Sequence, residues 1–174
     1  MATGYGLLDR TAARPAVVVT GVITTTTDLA FEARVRLVYD SVHDLLVKHT
    51  PDVLVVEDLY AEYSFPRTAL LMAHVRGVVC LAAAQCGVPV MALAPAEVKR
   101  AVAFNGAAPK AQVQHAIGRL LSLAEPPRPS HVADALALAW TGLSRAGRAD
   151  GGGDDRAERG PGAGGRGPGA RDFK

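Results

Sequence analysis

Apolar side chains along the first 145 residues follow two rhythms, a run or alternation typical of strands and a three-and-four spacing typical of helices. Segments 3–10 and 15–23 are of the first kind, the second carrying the β-branched run Val17, Val18, Val19, Thr20. A polar turn that includes Arg14 separates them, so a hairpin is expected. Phe31, Val35, Val38, Val42, Leu45 and Leu46 recur at steps of three and four and stop before Pro51, which predicts an amphipathic helix over 28–49. Val53 to Val56 is a short apolar run between Pro51-Asp52 and Glu57-Asp58, the pattern of a strand buried on both faces. A helical pattern over 65–85 ends at Gly87, and 88–93 reads as a second buried strand. Pro95 opens a short helix to about 102, a Gly/Ala/Pro loop covers 105–109, and helices follow over 110–122 and 130–144. Helices alternating with buried strands imply a parallel or mixed sheet flanked by helices, hence an α/β fold.

Composition narrows the picture. A chain of 174 residues holds one ordinary domain, and 49% hydrophobic residues with only 5% aromatics give a core of Ala, Val and Leu. Seven of the 19 basic and five of the 17 acidic residues lie between 145 and 174, leaving twelve of each in the body. A neutral body offers nucleic acid no bulk attraction, so any such partner must be met by a local patch. Residues 145–174 also hold ten of the 18 glycines and no aliphatic side chain larger than Ala. We therefore divide the chain into a domain over 1–144 and a disordered tail over 145–174. The longest apolar run, around Val78 to Ala84, falls short of the ~20 residues that cross a bilayer, and no leader pattern opens the chain, so a cytoplasmic protein without a membrane partner is expected. Cys80 and Cys86 lie in an apolar stretch, as buried thiols do.

Chemistry concentrates at two places. Glu57 ends the apolar run 53–56 and so stands at the carboxyl end of a central strand, where ligands and catalytic groups collect in open α/β sheets. An ordinary solvated acid at a strand end has the same appearance. Ser130-His131-Val132-Ala133-Asp134 opens a helix after Pro126-Pro127-Arg128-Pro129, with His131 in its first turn and Asp134 on the same face. Such a pair can bind a divalent metal, although an acid in a first turn is favoured by the helix dipole alone. A strand-end carboxylate with a helix-borne acid and His suggests a site for a hard cation such as Mg²⁺, able to hydrolyse phosphodiesters, although such a site would usually hold one more acid and one ligand is missing from the set. Asp58 would point to the opposite side of the strand.

Six ordered segments carry a family resemblance. They are Thr3-Gly4-Tyr5-Gly6, Val55-Val56-Glu57, Val75-Arg76-Gly77-Val78 with Ala82-Ala83-Ala84, Ala94-Pro95-Ala96-Glu97-Val98-Lys99, Asn105-Gly106-Ala107-Ala108-Pro109-Lys110-Ala111-Gln112-Val113, and Pro129-Ser130-His131-Val132-Ala133-Asp134-Ala135-Leu136-Ala137. In these motifs the chain resembles the RuvC family of Holliday-junction resolvases, within the ribonuclease-H-like superfamily. The resemblance implies a ribonuclease-H-like mixed sheet flanked by helices. It also implies a crossover junction endodeoxyribonuclease that cuts four-way DNA junctions in recombination and repair. Carried over by position, it makes Glu57, His131 and Asp134 catalytic and metal ligands, and Tyr60 an aromatic that stacks on junction bases. Lys99 and Lys110 become contacts to DNA phosphate. It further implies Mg²⁺, one or two ions per subunit with Mn²⁺ as a substitute, a homodimer, and the branch-migration proteins RuvA and RuvB as partners; the surface of the long helix near Leu70 to Val79 is the expected dimer interface.

The chain departs from the family at its amino terminus. The opening motif of the family reads G-I-D-P-G-x-x-x-T-G-Y-G, and Thr3 takes the place of its Thr, so the first catalytic Asp and the strand bearing it fall ahead of Met1. A start site placed too far downstream is the explanation favoured here. The alternative is a branched-DNA-binding protein impaired in cutting. Either way, a sheet without that first strand is expected to expose strand edges and apolar helix faces. An RNA-directed nuclease of the same superfamily is a weaker alternative. The stretch 63–67 also lacks the Asn usual in the loop after the acidic strand.

Overall fold

In the computed structural model, which describes residues 1–10, 14–59 and 66–150, the amino-terminal segments form the expected hairpin. Strand β1 (Ala2–Asp9) pairs antiparallel with β2 (Ala16–Thr24), and the register shifts once, between Leu7 and Leu8. Helix α1 (Phe31–His49) starts after the turn that holds Asp28 and Leu29, three residues later than its pattern predicts. It ends where Thr50 turns left-handed and donates its N–H to the Leu46 carbonyl, just before Pro51. Strand β3 (Leu54–Glu57) runs parallel to β4 (Val90–Leu93), with helix α2 (Pro66–Gln85) as the crossover between them. Helices α3 (Pro95–Ala103), α4 (Lys110–Leu120) and α5 (Ser130–Asp150) complete the order.

The strands separate two apolar cores. On one side, α1 and α2 supply Val38, Val42, Leu46, Val79, Ala82 and Ala83, with Leu54 and Val56 packed against them. On the other, α3, α4 and α5 supply Val98, Val102, Val113, Ile117, Val132 and Leu136, with Val55 and Met91 packed against them. Successive side chains of a strand point to opposite faces, so 54 and 56 feed one core while 55 feeds the other. The layering is helices, strands, helices, as the alternation of elements requires.

The sheet, however, is not continuous. Among the described residues β1–β2 and β3–β4 are two separate two-stranded sheets. Between them lies a cavity of about 810 Å³, lined from one side by Tyr5 and Leu7 and from the other by Val53 and Val55. The expectation that 53–56 are buried on both faces therefore fails. These residues are half-buried, because the open edge of β3 borders the cavity instead of another strand. Val90 of β4 is 41% exposed for the corresponding reason, since β4 is an edge strand.

Two further expectations shift. Helix α5 runs through Asp150, past the boundary placed at 145. Arg145 pairs with Glu97 at 3.3 Å and Ala146 lines the cavity, so tertiary contacts extend the helix into composition that reads as tail. Residues 151–174 lie outside the described residues. In α2, the stretch Thr68–Gln85 averages a hydropathy of 1.4, is only 11% buried, and is long and apolar enough to cross a membrane by those measures alone. Its apolar positions are interrupted by His74 and Arg76, which is why no long apolar run is visible in the sequence. Cys80 and Cys86 are free thiols and partly buried, in keeping with small core-edge hydrophobes.

Candidate active site

The pleat decides what each acid at the end of β3 can reach. Glu57 continues the face of Val55, toward the α3–α5 side, whereas Asp58 continues the face of Leu54 and Val56, toward α2. Asp58 is held there. Its N–H donates to Leu93 O at 2.8 Å, its carboxylate accepts the Leu59 N–H at 3.1 Å, and Arg76 of α2 lies 3.5 Å from it. Asp58 thus anchors the strand end, and Glu57 alone is free to face α5. Arg76 is a residue whose part the sequence pattern did not reveal. The available signal was an arginine in the middle of an apolar helix.

Helix α5 brings the second acid. Its first turn begins as Val132 donates its N–H to the Pro129 carbonyl at 3.0 Å. His131 is exposed, and Asp134, three residues on, is half-buried. The helix can approach β1 closely because Gly4 has no side chain: a Cβ there would collide with the His131 carbonyl. Farther along, Gly142 lets the helix settle on Val55 of β3, whose side chain a Cβ at 142 would meet. These two glycines fix the height of α5 above the strands and hence the position of Asp134. Gly4→Ala sets a side chain against backbone that has little room to yield. It is expected to destabilise the fold by about 1–3 kcal/mol, read as a fall of several degrees in thermal midpoint, with a loss of cleavage beyond what the fall explains.

Glu57 retains solvent access as a residue, yet enough protein crowds its carboxyl that desolvation pushes the pKa above the usual glutamate value. The negative charge of Asp134 pushes in the same direction, while Lys110 and Lys99 oppose it. Four residues from four elements, β3, α5, α4 and α3, are therefore within electrostatic reach of one another. Lys110 is exposed as the first residue of α4, and Lys99 is half-buried within α3. His131 lies in the first turn of α5 with its side chain exposed. Tyr60 lies outside the described residues.

Two carboxylates that repel each other across a partly desolvated gap are suited to a hard divalent cation, which neutralises both. Among the described residues no group of three or more His, Cys, Asp or Glu side chains is arranged to hold a metal. The candidate donors among the described residues are therefore the two carboxylates, Glu57 and Asp134. Mg²⁺ is commonly bound by one or two carboxylates while substrate phosphates and waters fill its other positions. The lysines supply the complementary feature, cationic groups that draw an anion toward two acids.

A pair of acids on a strand end and a helix, rimmed by lysines in an α/β fold, defines a class of protein suited to phosphodiester chemistry. Comparison with known proteins gives the family. The family model described as crossover junction endodeoxyribonuclease RuvC matches residues 1–142. A crossover junction endodeoxyribonuclease RuvC of Rhodopirellula baltica is 39% identical over 140 residues, covering 80% of this chain and 79% of the relative. That of Sorangium cellulosum is 43% identical over 144 residues, covering 83% and 79%. Among solved structures, T. thermophilus RuvC in complex with Holliday junction substrate superposes with a TM-score of 0.77 at 30% identity, over 86% of this chain and 96% of the other. The chain belongs to the RuvC family.

Proposed function

We propose that this chain is a structure-selective endonuclease that resolves four-way DNA junctions by metal-dependent phosphodiester hydrolysis, in recombination and repair. The supporting observation is that Glu57 and Asp134, far apart in sequence and both marked by the resemblance, are brought into electrostatic contact with Lys99 and Lys110 around them. Glu57 and Asp134 would hold Mg²⁺, or Mn²⁺ in its place, with His131 at the margin and one or two ions per subunit. When bound, the cation supplies Lewis-acid polarisation and a more acidic water.

The chain's own groups account for the rest. Lys110 and Lys99 place a DNA phosphate near the acids as mobile point charges. Glu57, facing α5 from the end of β3, is placed to orient an attacking water and accept its proton. His131, exposed at the start of α5, is placed to act as an acid toward the departing oxygen. Tyr60, from its place after the acidic strand, stacks on a junction base. His131→Ala should lower cleavage by roughly 10²-fold while junction binding without metal stays near wild type. His131→Asp should be tolerated, because an acid suits the first turn of a helix and gives an oxygen ligand.

Two symmetric cuts need two sites related by a two-fold axis, so we assign a homodimer. Its interface is the apolar surface of α2 around 70–79, where Leu70 is 61% exposed. A second copy, in the cytoplasm, covers this helix instead of a bilayer, and RuvA and RuvB supply the migrating junction. Sedimentation should give twice the chain mass at micromolar concentration, and a monomer there refutes the assignment. The reading as a whole is tested by offering a four-way junction and a duplex of the same sequence with Mg²⁺. Paired, symmetric nicks in the junction alone support it, and equal cutting of both substrates, or of structured RNA, removes it.

A further inference from the structure

The most exposed large apolar side chain among the described residues is Phe104, which is 90% exposed. It is also held in an unusual backbone state. As the C-cap of α3 it adopts φ 57° and ψ 12°, the left-handed region where a bulky side chain is disfavoured and glycine is at ease. The conformation is firmly set. The Phe104 N–H donates to Arg100 O at 3.0 Å, the Asn105 side chain accepts the Ala107 N–H at 2.9 Å, and Ala108 N–H donates to Asn105 O at 3.1 Å. Gly106 tucks in so closely that a Cβ on it would stand 3.3 Å from Ala96 O. A fixed loop thus holds an aromatic ring in water at a position where glycine would relieve the backbone, and among the described residues no packing covers the ring.

The surroundings point to an occupant. Phe104 is flanked along the chain by Lys99 and Arg100 on α3 and by Lys110 at the start of α4. The two lysines are those whose charges reach Glu57, so the loop carrying Phe104 joins the two helices that border the acidic pair. An exposed ring on the loop that joins these two helices, with cations before and after it along the chain, has the make-up of a stacking platform for a nucleobase. The ring accepts any base by its face, and the cations hold the phosphates on either side. A protein partner would call for a mainly apolar surround, whereas the exposed residues before and after Phe104 along the chain include the cations Arg100 and Lys110 and the polar Asn105.

We propose that Phe104 is a DNA-contacting residue that stacks on an unpaired or distorted base beside the phosphate held by Lys99 and Lys110. This rests on the endonuclease reading given above and adds to it a base contact on the α3–α4 loop. The backbone strain at Phe104 is then the cost of presenting the ring.

The informative variant is Phe104→Gly, because it removes the ring and relieves the backbone together. Affinity for a four-way junction should fall about tenfold, with a thermal midpoint equal to or above that of the unaltered protein. Phe104→Trp should restore the affinity. In a single-stranded oligonucleotide carrying 2-aminopurine, quenching by the unaltered protein should disappear with Phe104→Gly. Junction affinity and quenching both unchanged in Phe104→Gly overturn the proposal. So does a fall in sedimenting mass in that variant, which would place the ring in a contact between copies of the chain. If the unaltered protein binds junction and duplex alike, the endonuclease reading has failed, and the quenching experiment still decides whether Phe104 stacks on a base.

Discussion

Replacing Glu57 by glutamine is expected to reduce junction cleavage by about 10³-fold or more, since it removes an oxygen ligand and the best-placed proton acceptor at once. Junction binding in the absence of metal should persist, because Lys99 and Lys110 are untouched. The same variant should be more stable than the unaltered protein at neutral pH. Desolvation and Asp134 raise the pKa of Glu57 in the folded state, so its ionised form is disfavoured there relative to the unfolded chain. A raised pKa means a contribution to stability that is present in full below the unfolded value and is lost as pH rises through the folded value. At pH 7 the carboxyl of Glu57 has lost it, whereas the uncharged amide of the variant has nothing to lose. The thermal midpoint of Glu57→Gln should therefore exceed the wild-type value by about 1–2 °C at pH 7. The difference should close as pH falls below the ordinary glutamate pKa of 4.5. A variant that cuts as well as the parent removes Glu57 from the chemistry. A midpoint difference of opposite sign at pH 7 removes the strain assigned to it.

Much of this arrangement is legible in the sequence because it follows from local rules. The run Val53 to Val56 declares a strand, the strand's pleat separates Glu57 from Asp58, and the turn before Ser130 sets Asp134 one turn into a helix. Other features depend on contacts between distant segments, which no window along the chain displays. The closeness of α5 to β1 rests on Gly4 meeting the His131 carbonyl, and Gly4 in sequence reads only as part of a short motif. The extension of α5 to Asp150 depends on Arg145 reaching Glu97 across the fold. Asp28 and Leu29 satisfy a helical pattern yet turn away from it, since Ala30 precedes α1 without a side-chain cap and the chain must first leave β2. Phe104 gave no periodic signal, and only its backbone state and exposure mark it.

Fusing a short apolar strand ahead of Met1, joined through a Pro-Gly turn, should raise the thermal midpoint by about 10 °C. The reason is the divided sheet. Strands β1 and β3 both line the 810 Å³ cavity and are not paired with each other. A strand of about five apolar residues would hydrogen-bond to both edges and pack against the side chains of Leu7, Leu46, Val55 and Leu138 that border the space. Even a net gain of about 3 kcal/mol, after the ordering entropy of the added residues, moves the midpoint by that amount in a chain of this size. Glu57 lines the same cavity, so the end of the added strand falls beside the acidic pair. Ending the strand in Asp should therefore also raise cleavage, by about 10²-fold or more through a third oxygen ligand. Ending it in Asn should give the stability alone. An unchanged midpoint with either strand would show that the edges of β1 and β3 are closed to pairing. Equal cleavage with Asp and Asn would show that the pair of Glu57 and Asp134 gains nothing from a third carboxylate.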